Sequence, residues 1–222
     1  MAETDGELAR RLAIETGRLL VRVRPGDGDL TAQIFLAAQL KQHRPDDAVL
    51  SEEAPDDPSR LTADRVWIID PLDGSREYAE PGRTDWAVHV ALWERGDLVA
   101  GAVAVPAQSH APRARRDRRI RIVVSRTRPP AFAQRVAEAL DAVLVPMGSA
   151  GAKTMAVVRG EADAYLHAGG MYEWDSAAPV FVARAAGLHA SRADGRPLVY
   201  NQPDPWLPDL LICRPELAGV LA

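Results

Sequence analysis

Val66-Trp67-Ile68-Ile69-Asp70-Pro71-Leu72-Asp73-Gly74-Ser75 is the stretch on which the reading of this chain turns. Arg65 to Ile69 has the composition of a buried strand and ends abruptly at Asp70, where Pro71 forces a turn. Asp73 follows three residues later, with Gly74 behind it. Such a turn brings Asp70 and Asp73 to one side with the Leu72 carbonyl between them. Two carboxylates and a carbonyl make an oxygen-rich nest, which suits a hard cation such as Mg2+. Gly74 and Ser75 then open a short helical turn through Tyr78, whose first N–H groups face a phosphate in this reading. A polar turn after a strand has the same composition, so the metal reading needs support from elsewhere in the chain.

Two other segments supply it. Ser51-Glu52-Glu53 closes the short apolar run Ala48 to Ser51, placing carboxylates at a second strand end. Glu173-Trp174-Asp175 precedes a helix read over Ser176 to Ala186, with Asp175 at or near its N-cap. A solvated turn and a simple cap explain each of these alone. Their appearance together with the Asp70 turn points to a metal site.

Outward from these segments the chain reads as mixed α and β. Thr4-x-x-Glu7 is a capping box for a helix from Asp5 to Val23, which Pro25, Gly26 and Gly28 end. A second helix is expected over Leu30 to His43, with Asp29 as N-cap. Trp86 to Trp93 is apolar at nearly every position, so both faces of that strand are covered. Gly96-Asp97 turns the chain into an antiparallel partner, Leu98 to Val105. Ala107 to Arg119 reads as a loop. The second half alternates: strand Ile120 to Val124, helix Pro130 to Leu140, strand Ala142 to Pro146, helix Ala150 to Arg159, strand Ala162 to His167, then the helix after Asp175. Short strands near Leu188, Leu198 and Leu210 and a last helix from Pro215 complete it. Helices packed over mixed sheets solve such a pattern.

Several function classes drop out. No run of about 18 apolar residues is present, so no membrane span is expected. Met1 to Arg11 lacks the order of a signal peptide. A single cysteine, Cys213, excludes an internal disulfide framework and a cysteine zinc cage. These features point to the cytoplasm. A net charge of -4 gives no reason to expect nucleic-acid binding. The run Arg113, Arg115, Arg116, Arg118, Arg119, Arg121 lacks interleaved aromatics; it reads as a solvated face, with contact to a second substrate phosphate as the alternative. Gly148-Ser-Ala-Gly-Ala-Lys153-Thr154 fails the spacing of a P-loop and reads as a helix start, with Lys153 near substrate. The histidines show no metal-ligand spacing; His89 reads as a packed core residue, and His167, at a strand end near Glu173, as a candidate substrate contact. Trp67, Trp86, Trp93 and Trp174 read as core.

Ser51-Glu52-Glu53, Trp67-Ile-Ile-Asp-Pro-Leu-Asp-Gly-Ser75 and Glu173-Trp-Asp-Ser-Ala-Ala178 resemble, in order, the signature blocks of the inositol monophosphatase superfamily, with Gly148-Ser149 and Ala162-Asp163-Ala164-Tyr165 between them. Their wording is most similar to the CysQ branch, which removes the 3'-phosphate of 3'-phosphoadenosine 5'-phosphate (PAP). The resemblance implies a layered α/β sandwich spanning 1–222 as one phosphatase domain, with a metal-binding half, 1–120, and a substrate-side half, 121–222, that carries Asp175. It implies two or three Mg2+ ions held by Glu52, Asp70, Asp73, Asp175 and the Leu72 carbonyl. Glu52 and a Ser75–Asp29 pair are implied to help activate the attacking water; Ser75 stands where the family usually has threonine. Leu72, Asp73, Gly74, Ser75, Gly148, Ser149, Ala150, Lys153, His167, Glu173 and Asp175 are expected around the substrate.

The resemblance also implies lithium sensitivity and, as in many relatives, a homodimer. Inositol 1-phosphate and fructose 1,6-bisphosphate are the alternative substrates; Ala168, where inositol-specific relatives tend to have glutamate, disfavours inositol. The short segment between Val23 and Asp29 departs from the family's pattern, and Pro179 replaces a usual glycine. That shortened segment is what keeps open a reading from another class, a metal- or nucleotide-binding regulatory protein without catalysis.

Overall fold

The computed structural model describes residues 3–24, 26–108 and 119–221. Helix α1 (Asp5–Val23) begins at the expected reciprocal cap: Glu7 N–H donates to Thr4 Oγ1 and Thr4 N–H to the Glu7 carboxylate. Helix α2 (Gly28–His43) starts earlier than expected. Asp27 is its N-cap, which places Asp29 inside the first turn rather than at the cap.

Strands β1 (Ala48–Ser51), β2 (Arg65–Asp73), β3 (Ala87–Glu94) and β4 (Asp97–Ala104) form one sheet in that order. β1 runs parallel to β2, and the other pairs are antiparallel. β2 does not stop at Asp70. Asp70 pairs with His89 and Asp73 with Ala87, so three steps on β2 oppose two on β3 and one residue bulges out. Pro71, which has no N–H to offer a ladder, sits in this bulge. Helix α3 (Ser75–Ala79) follows directly, and Gly74 makes the junction at φ +91°, a left-handed conformation that glycine adopts without strain.

The second sheet holds β5 (Arg121–Ser125), β6 (Val143–Met147), β7 (Ala164–Tyr172), β8 (His189–Ser191) and β9 (Trp206–Cys213) in the order β6-β5-β7-β9-β8. Its helices are α4 (Ala133–Ala139), α5 (Ala150–Val158), α6 (Glu173–Ala185) and α7 (Pro215–Leu221). β7 runs on past His167 to Tyr172, with a register break between Ala168 and Met171 where Gly169 and Gly170 take positive φ. α6 therefore begins at Glu173, and Asp175 is its third residue rather than its N-cap. Leu198 is buried outside any strand.

The layers stack as expected for an α/β sandwich. α1 and α2 cover one face of the first sheet, α5 and α6 lie between the sheets, and α4 and α7 cover the outer face of the second. β3 is apolar on both faces because helices lie on both. Trp67 and Trp86 are fully buried, whereas Trp93 and Trp174 are half-buried.

α5 approaches β3 at Gly151, where a Cβ would stand 2.2 Å from His89 Nε2 and 2.8 Å from the Ala87 Cβ. Gly151→Ala is therefore expected to lower stability by about 1–3 kcal/mol, although alanine is the better helix former by about 1 kcal/mol. Urea unfolding measures this, and an unchanged or raised midpoint would show that α5 and β3 separate at little cost.

Candidate active site

The bulge in β2 aims two carboxylates into one cleft. Asp70 is fully buried; its Oδ1 accepts the Leu72 N–H at 3.0 Å, and its Oδ2 has no hydrogen-bond partner. Asp73 Oδ2 accepts from Ser149 Oγ and from the Gly151 N–H at 2.8 Å, at the start of α5. Asp175 arrives from α6, where it accepts the Tyr172 N–H at 2.6 Å, one half of a capping box. One oxygen from each of Asp70, Asp73 and Asp175 lies within 4.8 Å of the others. Glu52, just past β1, stands at the rim: its side chain reaches solvent while its carboxyl approaches Asp70.

The electrostatics follow from this crowding. Burial, then Asp73 and Glu52, hold the Asp70 carboxyl well above the usual carboxylate range. Burial with Asp175 and Asp73 pushes Glu52 up to about 7, and burial with Asp73 pushes Asp175 up to about 6. Asp73 goes the other way. Its burial is outweighed by His89, Lys153 and the Ser149 hydroxyl, which together hold it at about 2.

His89, on β3, pairs with Asp70 on β2 and is fully buried. Its Nδ1 faces the Trp174 carbonyl at 3.0 Å, which fixes a proton on that nitrogen, and its Nε2 lies 3.1 Å from Asp73 Oδ2 without hydrogen-bond alignment. A second proton is drawn to Nε2, so burial's downward pull is overcome and the imidazole's pKa is raised. His89 is thus more than core packing. Its signal in the sequence was a single polar residue in an otherwise apolar strand.

Ser75 Oγ donates to Asp29 Oδ1 at 2.8 Å and approaches the Leu72 carbonyl at 3.2 Å. Asp29 reaches it from the first turn of α2. The cleft has a volume of about 350 Å3, and Leu72, Gly74, Ser75, Gly148, Ser149, Ala150, Lys153 and His167 line it with the carboxylates. Lys153 is buried, with Nζ 5.0 Å over the Tyr165 ring and donating to the Gly148 carbonyl; burial lowers its pKa against the pull of Asp73. His167 Nε2 contacts the Gly170 carbonyl at 2.9 Å.

Glu173 is the candidate that does not reach the cleft. It is buried, and its two oxygens accept the Asn201 and Gln202 N–H groups at 2.7 and 2.8 Å. The same segment meets Arg60, which is fully buried and donates to Asn201 Oδ1, the Gln202 carbonyl and both oxygens of Asp56. Sequence reading missed Arg60 and also the lining residues Arg76, Arg126, Arg128, Tyr165 and Tyr172. In the basic run, Arg113, Arg115, Arg116 and Arg118 lie outside the described residues, and Arg121 lies in β5.

Three oxygens from acidic side chains, one of them buried without a partner, fit a hard divalent cation. The sequence matches the inositol monophosphatase family over residues 27–121 and 113–218. The chain belongs to that family. It is 53% identical to a 3'-phosphoadenosine 5'-phosphate phosphatase of Mycobacterium bovis over 93% of this chain and 88% of that protein. It is 31% identical to the 3'(2'),5'-bisphosphate nucleotidase CysQ of Escherichia coli over 81% of this chain and 80% of the other. The fold matches that of CysQ from Bacteroides thetaiotaomicron with a TM-score of 0.81 at 24% identity, over 96% and 97% of the two chains.

The shifts in this family member predict a pH dependence. Without metal, Asp70, Glu52 and Asp175 bind protons in the folded state at pH values where the unfolded chain has lost them. Their contribution is present near the ordinary carboxylate range, about 4, and lost as pH rises toward about 6 for Asp175 and about 7 for Glu52. His89, also raised, adds in the same direction. Asp73, depressed, acts oppositely but only below the ordinary carboxylate range. In EDTA the urea midpoint should therefore fall between about pH 5.5 and pH 8, and Mg2+ should restore it at the higher pH. A midpoint flat or rising over that interval would contradict the assigned crowding.

Proposed function

We propose that this protein is a Mg2+-dependent phosphomonoesterase that hydrolyses the 3'-phosphate of PAP to give AMP and phosphate. The observation that carries the reading is the meeting, in one cleft, of the Asp70, Asp73 and Asp175 carboxylates with the Ser75–Asp29 hydrogen bond. The naming of relatives at about half identity as PAP phosphatases supports the choice of substrate. Both halves, 1–120 and 121–222, contribute walls to the cleft, which supports one phosphatase domain.

Asp70, Asp73 and Asp175, with Glu52 and the Leu72 carbonyl, would hold two or three Mg2+ ions. Bound there, Mg2+ would supply charge neutralisation of the phosphate dianion and Lewis-acid activation. The protein's own groups divide the remaining work. Ser75 commits its hydrogen to Asp29, so an Oγ lone pair is free to accept a proton from the attacking water. Glu52, pushed to about 7, is poised to take up a proton near neutral pH. Gly74, Ser149, Ala150 and Lys153 border the substrate, and the Lys153 ammonium offsets its charge. Direct attack by water needs no protein nucleophile; Cys213 is buried in β9.

No helix among the described residues is long and apolar enough to cross a membrane. We place the enzyme in the cytoplasm, acting on a small phosphate ester, with a homodimer as the assembly to test by sedimentation. Sugar phosphates such as inositol 1-phosphate and fructose 1,6-bisphosphate would use the same chemistry.

Phosphate release from PAP, inositol 1-phosphate and fructose 1,6-bisphosphate, each with Mg2+ and with or without lithium, tests the reading. PAP should be preferred and lithium should inhibit. Asp70→Asn should abolish turnover, and Ser75→Ala should lower kcat about 100- to 10,000-fold. Comparable rates on the three esters would replace the substrate assignment. No release from any, with metal binding intact, would favour a regulatory role, and an active Asp70→Asn variant would overturn the site.

A further inference from the structure

Four cationic side chains, Arg76, Arg126, Arg128 and Lys153, line the cleft together with the carboxylates. Two of these cations are already engaged. Arg126 donates to Glu77 and to Glu80 of the α3 region, and Lys153 is buried over Tyr165. Arg76 and Arg128 differ: both are exposed, both line the cleft, and neither guanidinium makes an ion pair or hydrogen bond with any described residue. Of the two, Arg128 is the one carried on the loop after β5. Its charge nevertheless reaches His167, whose imidazole is lowered chiefly by burial and further by Lys153 and Arg128. The guanidinium therefore sits on the cleft side of the loop that follows β5.

That loop is held firmly. Ser125 Oγ accepts the Arg128 N–H at 3.1 Å, the Arg126 N–H donates to the Met147 carbonyl at 3.0 Å, and the Arg126 side chain pins the loop to α3. Pro129 and Pro130 follow at once and restrict the backbone beyond Arg128. An arginine on a braced loop, facing a cleft and lacking a carboxylate, is a preorganised anion receptor. A monophosphate ester needs only the carboxylates that would hold the metal. An ester with a second phosphoryl group would engage Arg128 as well.

We propose that Arg128 is a specificity-determining residue that binds the non-transferred phosphate of a bisphosphate substrate, the 5'-phosphate in PAP. This rests on the phosphomonoesterase reading above and supplies a basis for choosing bisphosphates over monophosphates. The receptor differs from the Arg113–Arg121 run that the sequence suggested for this task.

The test compares matched esters in wild type, Arg128→Ala and Arg128→Lys: PAP against 3'-AMP, and fructose 1,6-bisphosphate against fructose 1-phosphate. One charge-assisted pair of hydrogen bonds predicts that wild type favours the bisphosphate and that Arg128→Ala shrinks the ratio of kcat/KM values about 10- to 100-fold, mainly through KM. Arg128→Lys should fall between, since the charge stays and the fork is lost. A wild type inactive on PAP but selective for fructose 1,6-bisphosphate over fructose 1-phosphate, with the ratio collapsing in Arg128→Ala, would sink the PAP assignment and support the receptor. A ratio unchanged by Arg128→Ala, or a wild type that favours neither bisphosphate, would overturn the proposal.

Discussion

Repulsion among Glu52, Asp70, Asp73 and Asp175 is the constraint on which the surrounding structure depends. Like charges this close, with Asp70 and Asp73 buried, cannot all ionise without counter-charge. The protein answers unequally. Asp73 receives the Ser149 hydroxyl, the Gly151 N–H and the approach of His89, and stays ionised. Asp70 receives only the Leu72 N–H, and its other oxygen is left bare. The difference leaves Asp73 Oδ2 engaged by protein donors and Asp70 Oδ2 open to a cation. A cluster fully satisfied by protein donors would have little left for a metal.

Placing Asp175 opposite Asp70 requires that α6 and the chain after β1 be fixed relative to one another. No backbone ladder joins them. The join is polar and buried: Glu173, the first residue of α6, holds the Asn201 and Gln202 N–H groups, and Arg60 holds the other side of the same two residues. Asn201 adopts φ +59°, a conformation tolerated by asparagine, so that its backbone and side chain face these two partners. Buried polar contacts of this kind fix geometry, since without Glu173 the Asn201 and Gln202 N–H groups lose their acceptors. Glu173 thus anchors the start of α6, the helix that carries Asp175.

Much of the carboxylate site was legible because its residues are contiguous or stand at strand and helix ends, where local rules act. The capping box of α1 and the stretch around Asp70 were readable from a few neighbouring residues. The bulge was not. Pro71 reads locally as a strand stop, whereas the pairing of Asp73 with Ala87 carries the strand onward past an extra residue. Pairing across strands decides that, and no local propensity reports it. The start of α6 was placed late for the same reason, because β7 delivers the chain directly into Glu173. His89 and Arg60 were hidden in another way. Each gains its meaning from partners remote in sequence, Asp73 and Trp174 for the first, Asn201 and Gln202 for the second.

The cations of the cleft also explain why acidic crowding need not repel an anionic substrate. Bound metal ions would offset the carboxylates' negative charge, and Lys153, Arg76, Arg126 and Arg128 add positive charge in the same cleft. Lys153 is buried and immobile, held by the Gly148 carbonyl and the Tyr165 ring, so its charge is fixed in direction. Arg126 is spent on Glu77 and Glu80, which converts it from a receptor into a strut for the loop that presents Arg128. Under the proposed assignment a bisphosphate ester, with roughly four negative charges, would be oriented with its transferred phosphate toward the carboxylates and its other phosphate toward Arg128. Orientation of this kind, rather than any difference in the chemistry at phosphorus, is what can separate a nucleotide bisphosphatase from other phosphatases built on the same carboxylates.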